Sequence, residues 1–460
     1  MPHIRAPPIL WSRSPAGAFS YQIIAIHARW DVGVVLSGRF CYHTPLAGLI
    51  RATLEMVLRI GIDASNLRGG GGITHLAALL SHVDDADVER VIVWGPAAVL
   101  RRLPERRWLV KANPSELERG IATRIAWRHQ ALPRAARAEC DLLFAPGGLC
   151  TDRFHPVVTM SRNMLPFQLR EMSRYGLSRM LLRLGLLRGA QRRSFQIADG
   201  VIFLSRFARD TVLDATGRVA GQTTVIPHGV ESSFFRKPRH QRGALEFTAE
   251  DPMRLLYVSI VDVYKHQWHV AEAVARLRRA GLPISIQFLG DAYPPAGKRL
   301  LRTLRACDPQ QWFMKYNGAA EHADLPARYQ AADAFVFASS CENLPNILLE
   351  AMASGLPIAC SNRLPMPEIL GQAGVYFDPL RPSEIEQALR QLFHDAELRA
   401  HLAQAAYERA EQFSWAACAR DTFRFLADVL ALSGEQKVSG PREASTTRGA
   451  LRAEYSAVSA

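Results

Sequence analysis

Residues 339–362 read SSCENLPNILLEAMASGLPIACSN and place two carboxylates, Glu342 and Glu350, eight positions apart on either side of a Pro-Asn pair. The stretch continues AFVFAS (334–339), an apolar run typical of a buried strand. We expect a loop to carry Glu342 and a helix to begin near Asn346, with Glu350 about one turn further on. Strand, loop and helix in this order predict one unit of a parallel α/β sheet.

Short apolar runs alternate with helical patterns from Met56 onwards, in two series. The first predicts strands in MVLRIGIDAS (56–65), RVIVWG (90–95), DLLFAPG (141–147), HPVVTMS (155–161) and GVIFLS (200–205). The second predicts strands in RLLYVSI (254–260), ISIQFLG (284–290), FMKYNG (313–318), AFVFAS (334–339), PIACS (357–361) and GVYFD (374–378). Two such series indicate two doubly wound α/β domains with a ligand cleft between them, and the polar stretch KPRHQRG (237–243) is the predicted hinge.

Composition narrows the class of protein but does not identify its partner. The chain of 460 residues has a formal net charge of +13, which favours anionic partners such as nucleic acid, anionic lipid or phosphorylated small molecules. The sequence contains no run of 18 uncharged apolar residues, so it predicts no membrane-spanning helix. Seven cysteines without CxxC spacing argue against a zinc site or a disulfide framework and for a reducing compartment.

The acidic pair suits a ligand that carries both phosphate and hydroxyl groups. A helix N-terminus near Asn346 offers free N–H groups and a partial positive charge, which bind a diphosphate. Carboxylates beside such an anion site accept hydrogen bonds from sugar hydroxyls instead. The spacing therefore fits a nucleotide-sugar, with one Glu for each sugar. The alternative, that Glu342 caps the helix and Glu350 is solvated, is equally compatible with the spacing alone.

The same stretch resembles the E-x7-E motif of glycosyltransferase family 4, in the form E-x-x-P-N-x-x-x-E followed by AMA-x-G-x-P. SNRLPMPEILGQAGVYFDP (361–379), VIPHGVESSFF (225–235) and IGIDASNLRGGGGITHLAALL (60–80) are similar to further segments of that family. The likeness covers roughly Met56 to residue 432. It implies the GT-B fold, in which two Rossmann-like doubly wound domains face a central cleft and a C-terminal helix crosses back to the first domain. It also implies retention of anomeric configuration, with no metal and no cofactor.

With that resemblance, the expected organisation has five parts. Residues 1–55 form a poorly ordered extension or precede the physiological start, and 56–238 form an acceptor domain. Residues 239–414 form the nucleotide-sugar domain, 415–433 the crossing helix and 434–460 a disordered tail.

The resemblance also implies roles for individual residues. Glu350 would bind the ribose hydroxyls, and Glu342 would bind the donor hexose or lie near its anomeric carbon as a catalytic residue. Lys265 would be the second catalytic residue, because a fixed ammonium stabilises the departing diphosphate. The remaining donor-binding residues lie at the helix start and in the Gly-rich loop: Pro345, Asn346, Ile347, Gly70, Gly71 and Gly72.

The sequence departs from the family pattern in two places. Many members carry Arg five residues before the lysine, where this chain has Ile260; Arg162 or Arg206 would then supply the phosphate-side charge. Many also show His-Asp where MSRNMLPF (160–167) places Arg162 and Asn163. Chemistry in which the leaving phosphate accepts the proton tolerates that loss, whereas a protein base at this point is excluded.

Two acidic and Gly-rich patterns have less specific interpretations. LRGGGGITH (67–75) lacks the spacing of a dinucleotide-binding fingerprint or a P-loop, which favours a flexible loop near donor phosphates or acceptor. DDAD (84–87) contains D-x-D but precedes a strand, which favours a polar turn over a metal site.

REMSRYGLSRMLLRLGLLRGAQRRS (170–194) carries seven arginines and one acid. Leu177, Met180, Leu181 and Leu184 recur at helical spacing, with Arg179 and Arg183 opposite. Such a helix either lies on an anionic membrane surface or packs against the core with a solvated basic face, and the pattern favours neither. Non-specific nucleic-acid binding by this helix is a weaker third option, because aromatic residues do not interleave with the basic ones, and no specific nucleic-acid partner is expected.

The sequence thus predicts a cytoplasmic hexosyltransferase, soluble or peripheral on the inner face of the membrane. Its donor would be a UDP- or GDP-linked sugar and its acceptor a hydroxyl of a glycan or lipid-linked molecule in surface polysaccharide synthesis. The alternatives are a non-catalytic nucleotide-sugar-binding protein of the same fold and a nucleotide-sugar epimerase.

Overall fold

A computed structural model describes residues 58–67, 70–84 and 88–438. The predicted N-terminal extension, 1–55, lies outside the described residues, as do three of the four residues of the DDAD stretch and the tail from residue 439.

The first lobe is built on a sheet of seven parallel strands in the order β3-β2-β1-β4-β5-β6-β7. The strands are β1 (Leu58–Asp63), β2 (Val88–Trp94), β3 (Leu109–Ala112), β4 (Leu142–Ala145), β5 (Val157–Met160), β6 (Gly200–Phe203) and β7 (Gln222–Val225). Its helices are α1 (Gly71–His82), α2 (Ala97–Leu100), α3 (Ile121–Gln130), α4 (Leu132–Glu139), α5 (Leu169–Ser173), α6 (Arg179–Ile197) and α7 (Arg206–Thr216). The strand order reverses between β1 and β4, and ligands bind at such switch points.

The second lobe repeats this architecture with six parallel strands in the order β10-β9-β8-β11-β12-β13. The strands are β8 (Met253–Val258), β9 (Ile284–Leu289), β10 (Met314–Tyr316), β11 (Ala334–Phe337), β12 (Ile358–Ser361) and β13 (Val375–Phe377). Its helices are α8 (Gln267–Arg279), α9 (Pro294–Cys307), α10 (Leu325–Ala331), α11 (Asn346–Ala353), α12 (Met366–Leu370), α13 (Pro382–His394) and α14 (Ala396–Ala410). The prediction of two parallel-sheet α/β lobes is therefore confirmed.

The central strands are apolar runs because helices cover both faces of each sheet. Every residue of β4, β5, β6, β11 and β12 is buried. The sequence prediction missed β3 and β7, which are the two edge strands of the first sheet. Both are partly exposed, so their residues include polar and charged types that break an apolar pattern.

The last helix, α15 (Trp415–Val438), returns to the first lobe and packs on α1 and β4. It extends five residues beyond the predicted end at 433, so residues 434–438, predicted as disordered tail, are helical. No described helix is both long and apolar enough to cross a membrane.

The chain passes between the lobes earlier than the sequence suggested. Val230 N donates to Phe413 O at 3.1 Å and Arg236 N donates to Ala353 O at 2.9 Å, so residues 226–236 form the connection. The predicted hinge, 237–243, is instead fixed to the second lobe, where Arg239 forms an ion pair with Asp333 at 2.6 Å. Polar residues at 237–243 reflect this charge network and not flexibility.

The connection needs glycine at position 229. A Cβ added to Gly229 would lie 2.2 Å from Trp415 N, at the first residue of α15. Any side chain there must displace the backbone that starts the crossing helix.

We therefore expect Gly229→Ala to destabilise the protein by about 1–3 kcal/mol through overpacking. Gly189→Ala is the matched control, since Gly189 is exposed on α6 with nothing within 4 Å of the added Cβ. That control should be neutral or stabilising, because alanine favours helix. Thermal unfolding of both variants measures the difference, and equal midpoints would contradict the close contact.

Candidate functional site

The strand ends of the two lobes meet where three distant segments come together. Arg162 Nη2 donates to Gly71 O at 2.6 Å. A Cβ added to Gly71 would lie 3.6 Å from Asn346 Nδ2 and 3.8 Å from Arg162 Nη2. The Gly-rich loop, the loop after β5 and the start of α11 thus lie side by side at the lobe junction.

The glycines of this loop have different functions. Gly70 precedes α1 with φ 62° and ψ −155°, a conformation essentially restricted to glycine. Gly71 lacks a side chain where Arg162 and Asn346 approach. A Cβ on Gly72 would lie 3.3 Å from Leu67 Cδ2, so this glycine serves packing within the first lobe.

The N-terminus of helix α11 lies at this junction. Pro345 precedes it, and Leu348 N makes the first backbone hydrogen bond, to Pro345 O at 3.1 Å. The N–H groups of Asn346 and Ile347 lie before that bond, at the positive end of the helix. Two N–H groups and a helix dipole are what a diphosphate binds.

Glu350 lies on α11 and is buried, with 6% of its surface exposed. Its Oε2 accepts a hydrogen bond from Tyr329 OH at 3.0 Å, and its Oε1 lies 3.8 Å from His322 Nε2. A small pocket beside it is lined by residues of both lobes, the connection and α15, including Thr74, Phe234 and Trp415. The alternative that Glu350 is a solvated helix residue is therefore wrong.

Lys265 and Glu342 form a buried ion pair although 77 positions separate them. Lys265 Nζ donates to Glu342 Oε1, and their side chains are 6% and 13% exposed. The ammonium also lies 5.3 Å from the centroid of Phe337. Glu342 makes no capping bond to α11, so the alternative role as helix cap is wrong. The structure brings together the two residues predicted as catalytic.

Arg162 leaves one donor free at the junction. Within the described part of the chain its Nη1 is buried without a hydrogen-bond partner. Burial lowers the pKa of Arg162 to about 10, which keeps the guanidinium charged at neutral pH. Its neighbours are neutral, because burial lowers the pKa of His228 to about 4 and that of His75 well below the usual value. This uncompensated cation suits an anionic ligand.

Two of the weaker predictions have other surroundings in the structure. Asn163 is exposed, and its Oδ1 accepts from Leu165 N at 3.1 Å within a local turn. The Arg206 side chain is also exposed. The backbone N–H of Arg206 donates to Glu368 Oε1 at 2.7 Å and that of Phe207 to Oε2 at 2.9 Å, so a carboxylate of the second lobe already occupies the start of α7.

Sequence reasoning missed a polar contact between the lobes. Ser340 Oγ donates to Glu171 Oε2 at 2.6 Å, and Tyr175 OH donates to Asp262 Oδ1 at 2.9 Å. Glu171 is buried and also pairs with Arg174 at 2.7 Å. The signal was present, since Glu171 is the one acid in the basic stretch 170–194.

The apolar face of residues 170–194, for which the sequence left a membrane and the protein core as alternatives, packs against the core. Leu184 is buried, and Met180 and Leu181 pack beside it together with Val263 and Tyr293 of the second lobe. Leu177 lies before α6 and is fully exposed. The leucines of α6 that face solvent are Leu182 and Leu186, which are 67% and 68% exposed and were not part of the predicted apolar face.

Comparison with known proteins gives a partial family match. Residues 244–409 match the family model described as glycosyl transferases group 1. The chain is 34% identical over 113 residues to O-antigen chain mannosyltransferase B of Escherichia coli, covering 25% of this chain and 30% of that protein. It is 27% identical over 229 residues to sulfoquinovosyl transferase SQD2 of Arabidopsis thaliana, covering 48% and 42%. The chain spans about half or less of the length of these curated relatives.

Solved structures resemble the chain over most of its length. The complex of Anabaena Alr3699/HepE with UDP and glucose has a TM-score of 0.61 at 17% identity and covers 81% of this chain and 100% of its own. WaaG, a glycosyltransferase involved in lipopolysaccharide biosynthesis, has a TM-score of 0.58 at 14% identity, with coverage of 80% and 99%. At such identities the likeness shows the fold, which is GT-B.

The Lys265–Glu342 pair gives a testable consequence for stability. Lys265→Met should destabilise the ligand-free protein by about 3–5 kcal/mol, because it leaves the buried carboxylate of Glu342 without its partner. Glu342→Gln should also destabilise it, because the buried ammonium of Lys265 loses its charged partner. The double variant should be less destabilised than the sum of the two. Thermal midpoints of the four proteins measure this coupling, and strict additivity would show that the pair does not interact.

Proposed function

We propose that this protein is a retaining glycosyltransferase of family 4 that transfers a hexose-type sugar from a nucleoside diphosphate to a hydroxyl acceptor. One observation carries the proposal: the start of α11, which bears the buried Glu350, lies beside Gly71 and Arg162 of the first lobe, and Arg162 Nη1 has no hydrogen-bond partner among the described residues. The buried Lys265–Glu342 pair lies in the loops that precede α8 and this helix. A group 1 glycosyl transferase match over 244–409 supports it, since these residues include both glutamates and Lys265.

The donor would span the junction along α11. Its diphosphate would lie at the helix start, near the N–H groups of Asn346 and Ile347 and the guanidinium of Arg162. Its ribose would bind Glu350 and its hexose would lie near Glu342. UDP in the structurally similar HepE complexes supports a nucleotide donor. The donor of this chain would be a UDP- or GDP-linked sugar.

Lys265 would act when the glycosidic bond to phosphate breaks. Negative charge then grows on the departing diphosphate, and a fixed ammonium in a dry site stabilises it. The ion pair with Glu342 holds this ammonium in place before the donor arrives. The leaving phosphate would accept the proton of the attacking hydroxyl, a route that needs no protein base at Asn163.

The acceptor would be a glycan or lipid-linked molecule in surface polysaccharide synthesis. Similarity to O-antigen chain mannosyltransferase B and to WaaG supports this setting. The enzyme would then work in the cytoplasm, on or near the inner face of the membrane.

A donor screen followed by transfer assays tests the function. Thermal shifts with UDP- and GDP-sugars identify the donor, and the radiolabelled donor is then incubated with a membrane extract. We expect label in the acceptor fraction. Binding without transfer would indicate a non-catalytic protein, and an altered free sugar nucleotide would indicate an epimerase; either outcome rejects the proposal.

Substitution should separate binding from turnover. Glu350→Ala is expected to weaken donor binding at least tenfold, because a carboxylate that accepts ribose hydroxyls is lost. Lys265→Ala should mainly lower kcat, by about 100-fold, because its charge acts on the departing group. Steady-state kinetics measure both, with Glu411→Gln, an exposed carboxylate at the end of α14, as control. Unchanged kinetics in the first two variants would remove these assignments.

The outward face of α6 provides the contact with a membrane. Leu182 and Leu186 are exposed at i, i+4 spacing, with the exposed Arg179 and Arg183 alongside. Apolar side chains among arginines suit the interface of an anionic bilayer.

Leu182→Ser with Leu186→Ser should therefore reduce co-sedimentation with vesicles rich in phosphatidylglycerol, by several-fold, because the inserted apolar area is lost. Leu245→Ser in the second lobe, where the leucine is 98% exposed, is the control and should bind as the wild type does. Equal sedimentation of all three proteins would argue against this surface.

A further inference from the structure

His322 lies directly beside the carboxylate assigned to the ribose. It follows β10, in a short turn before α10, and about half of its side chain is exposed. Its Nε2 is 3.8 Å from Glu350 Oε1, and its Nδ1 is 3.9 Å from Glu231 Oε2 in the connection between the lobes. The imidazole is thus placed between two carboxylates, one of which belongs to the candidate site.

His322 and Glu350 are close, but no direct hydrogen bond of normal length joins them. A direct N–H···O hydrogen bond joins atoms about 2.7–3.2 Å apart, so 3.8 Å is too long. An oxygen about 2.8 Å from each atom closes this gap. A hydroxyl group donates one hydrogen bond and accepts two, so it can donate to the carboxylate and accept from the imidazole N–H at once.

The surroundings hold both groups in position for such a ligand. Tyr329 OH donates to the other oxygen of Glu350 at 3.0 Å, which leaves Oε1 towards His322. The imidazole ring packs edge-to-face on Phe234, with centroids 5.6 Å apart. Proximity to Glu350, and to Glu231, raises the pKa of His322, which favours a proton on both ring nitrogens.

We propose that His322 is a second ligand of the nucleotide's ribose, donating from Nε2 to the same hydroxyl that donates to Glu350. This inference rests on the proposed function. It makes His322 a specificity-determining residue that distinguishes ribonucleotides from deoxyribonucleotides, with Glu231 orienting the ring.

Calorimetric binding of UDP and GDP, and of their 2′-deoxy and 3′-deoxy analogues, tests this. The wild type should bind its preferred nucleotide about 10- to 100-fold more tightly than one of the two deoxy analogues. His322→Ala should weaken binding of the full nucleotide at least tenfold and leave affinity for that deoxy analogue nearly unchanged. His322→Gln, which retains an N–H donor, should recover part of the loss.

The controls separate this inference from the proposed function. His401→Ala, at an exposed position on α14, should behave as the wild type, and thermal midpoints check that the variants fold. If the wild type binds nucleotides but His322→Ala loses equal affinity for full and deoxy ligands, or loses none, the inference is overturned and the function stands. If the wild type binds neither UDP nor GDP, both are overturned.

Discussion

The contact of Gly229 with the first residue of α15 constrains the chain where it passes from one lobe to the other. Here the chain that leaves the first lobe passes the helix that returns to it, with backbone against backbone. The ring of His228 stacks on Trp415 at 5.6 Å between centroids, and His75 on α1 lies against both. The connection between the lobes is therefore packed against the start of α15 and against α1 of the first lobe at the same point.

Positive charge at the cleft is only partly neutralised by acidic side chains among the described residues. Most buried charges elsewhere are paired, as Arg128 is with Asp63 at 3.2 Å. At the cleft, by contrast, Arg162 Nη1 has no partner among the residues that the structure describes and α11 presents its positive end, while Lys265 is balanced by Glu342. Desolvated cations without full compensation raise the free energy of the empty site, and an anion that binds there removes that cost. A diphosphate bound there would thus stabilise the protein.

The sequence predicted the architecture and the main acidic residues because these depend on local pattern. Buried strands are continuous apolar runs, and the E-x7-E spacing lies within one loop and one helix. What escaped prediction depends on contacts between distant segments. The sequence around His322 carries no motif, and only the fold places this histidine beside Glu350 and Glu231. The apolar face of 170–194 was identified from period alone, which cannot tell whether a second lobe covers it. The edge strand β7 was missed because none of its four residues is buried and three of them are polar, so it has no apolar run.

The carboxylate of Glu368 links the two lobes through hydrogen bonds that oppose their separation. It accepts two backbone hydrogen bonds at the start of α7 in the first lobe, although it belongs to α12 in the second. A rotation that moved α12 away from α7 would break these bonds and leave the two N–H groups at the start of α7 to water. Glu368 therefore couples the two lobes through hydrogen bonds to a charged acceptor, which are about twice as strong as neutral ones, so separating α12 from α7 would cost more than the loss of two ordinary backbone contacts.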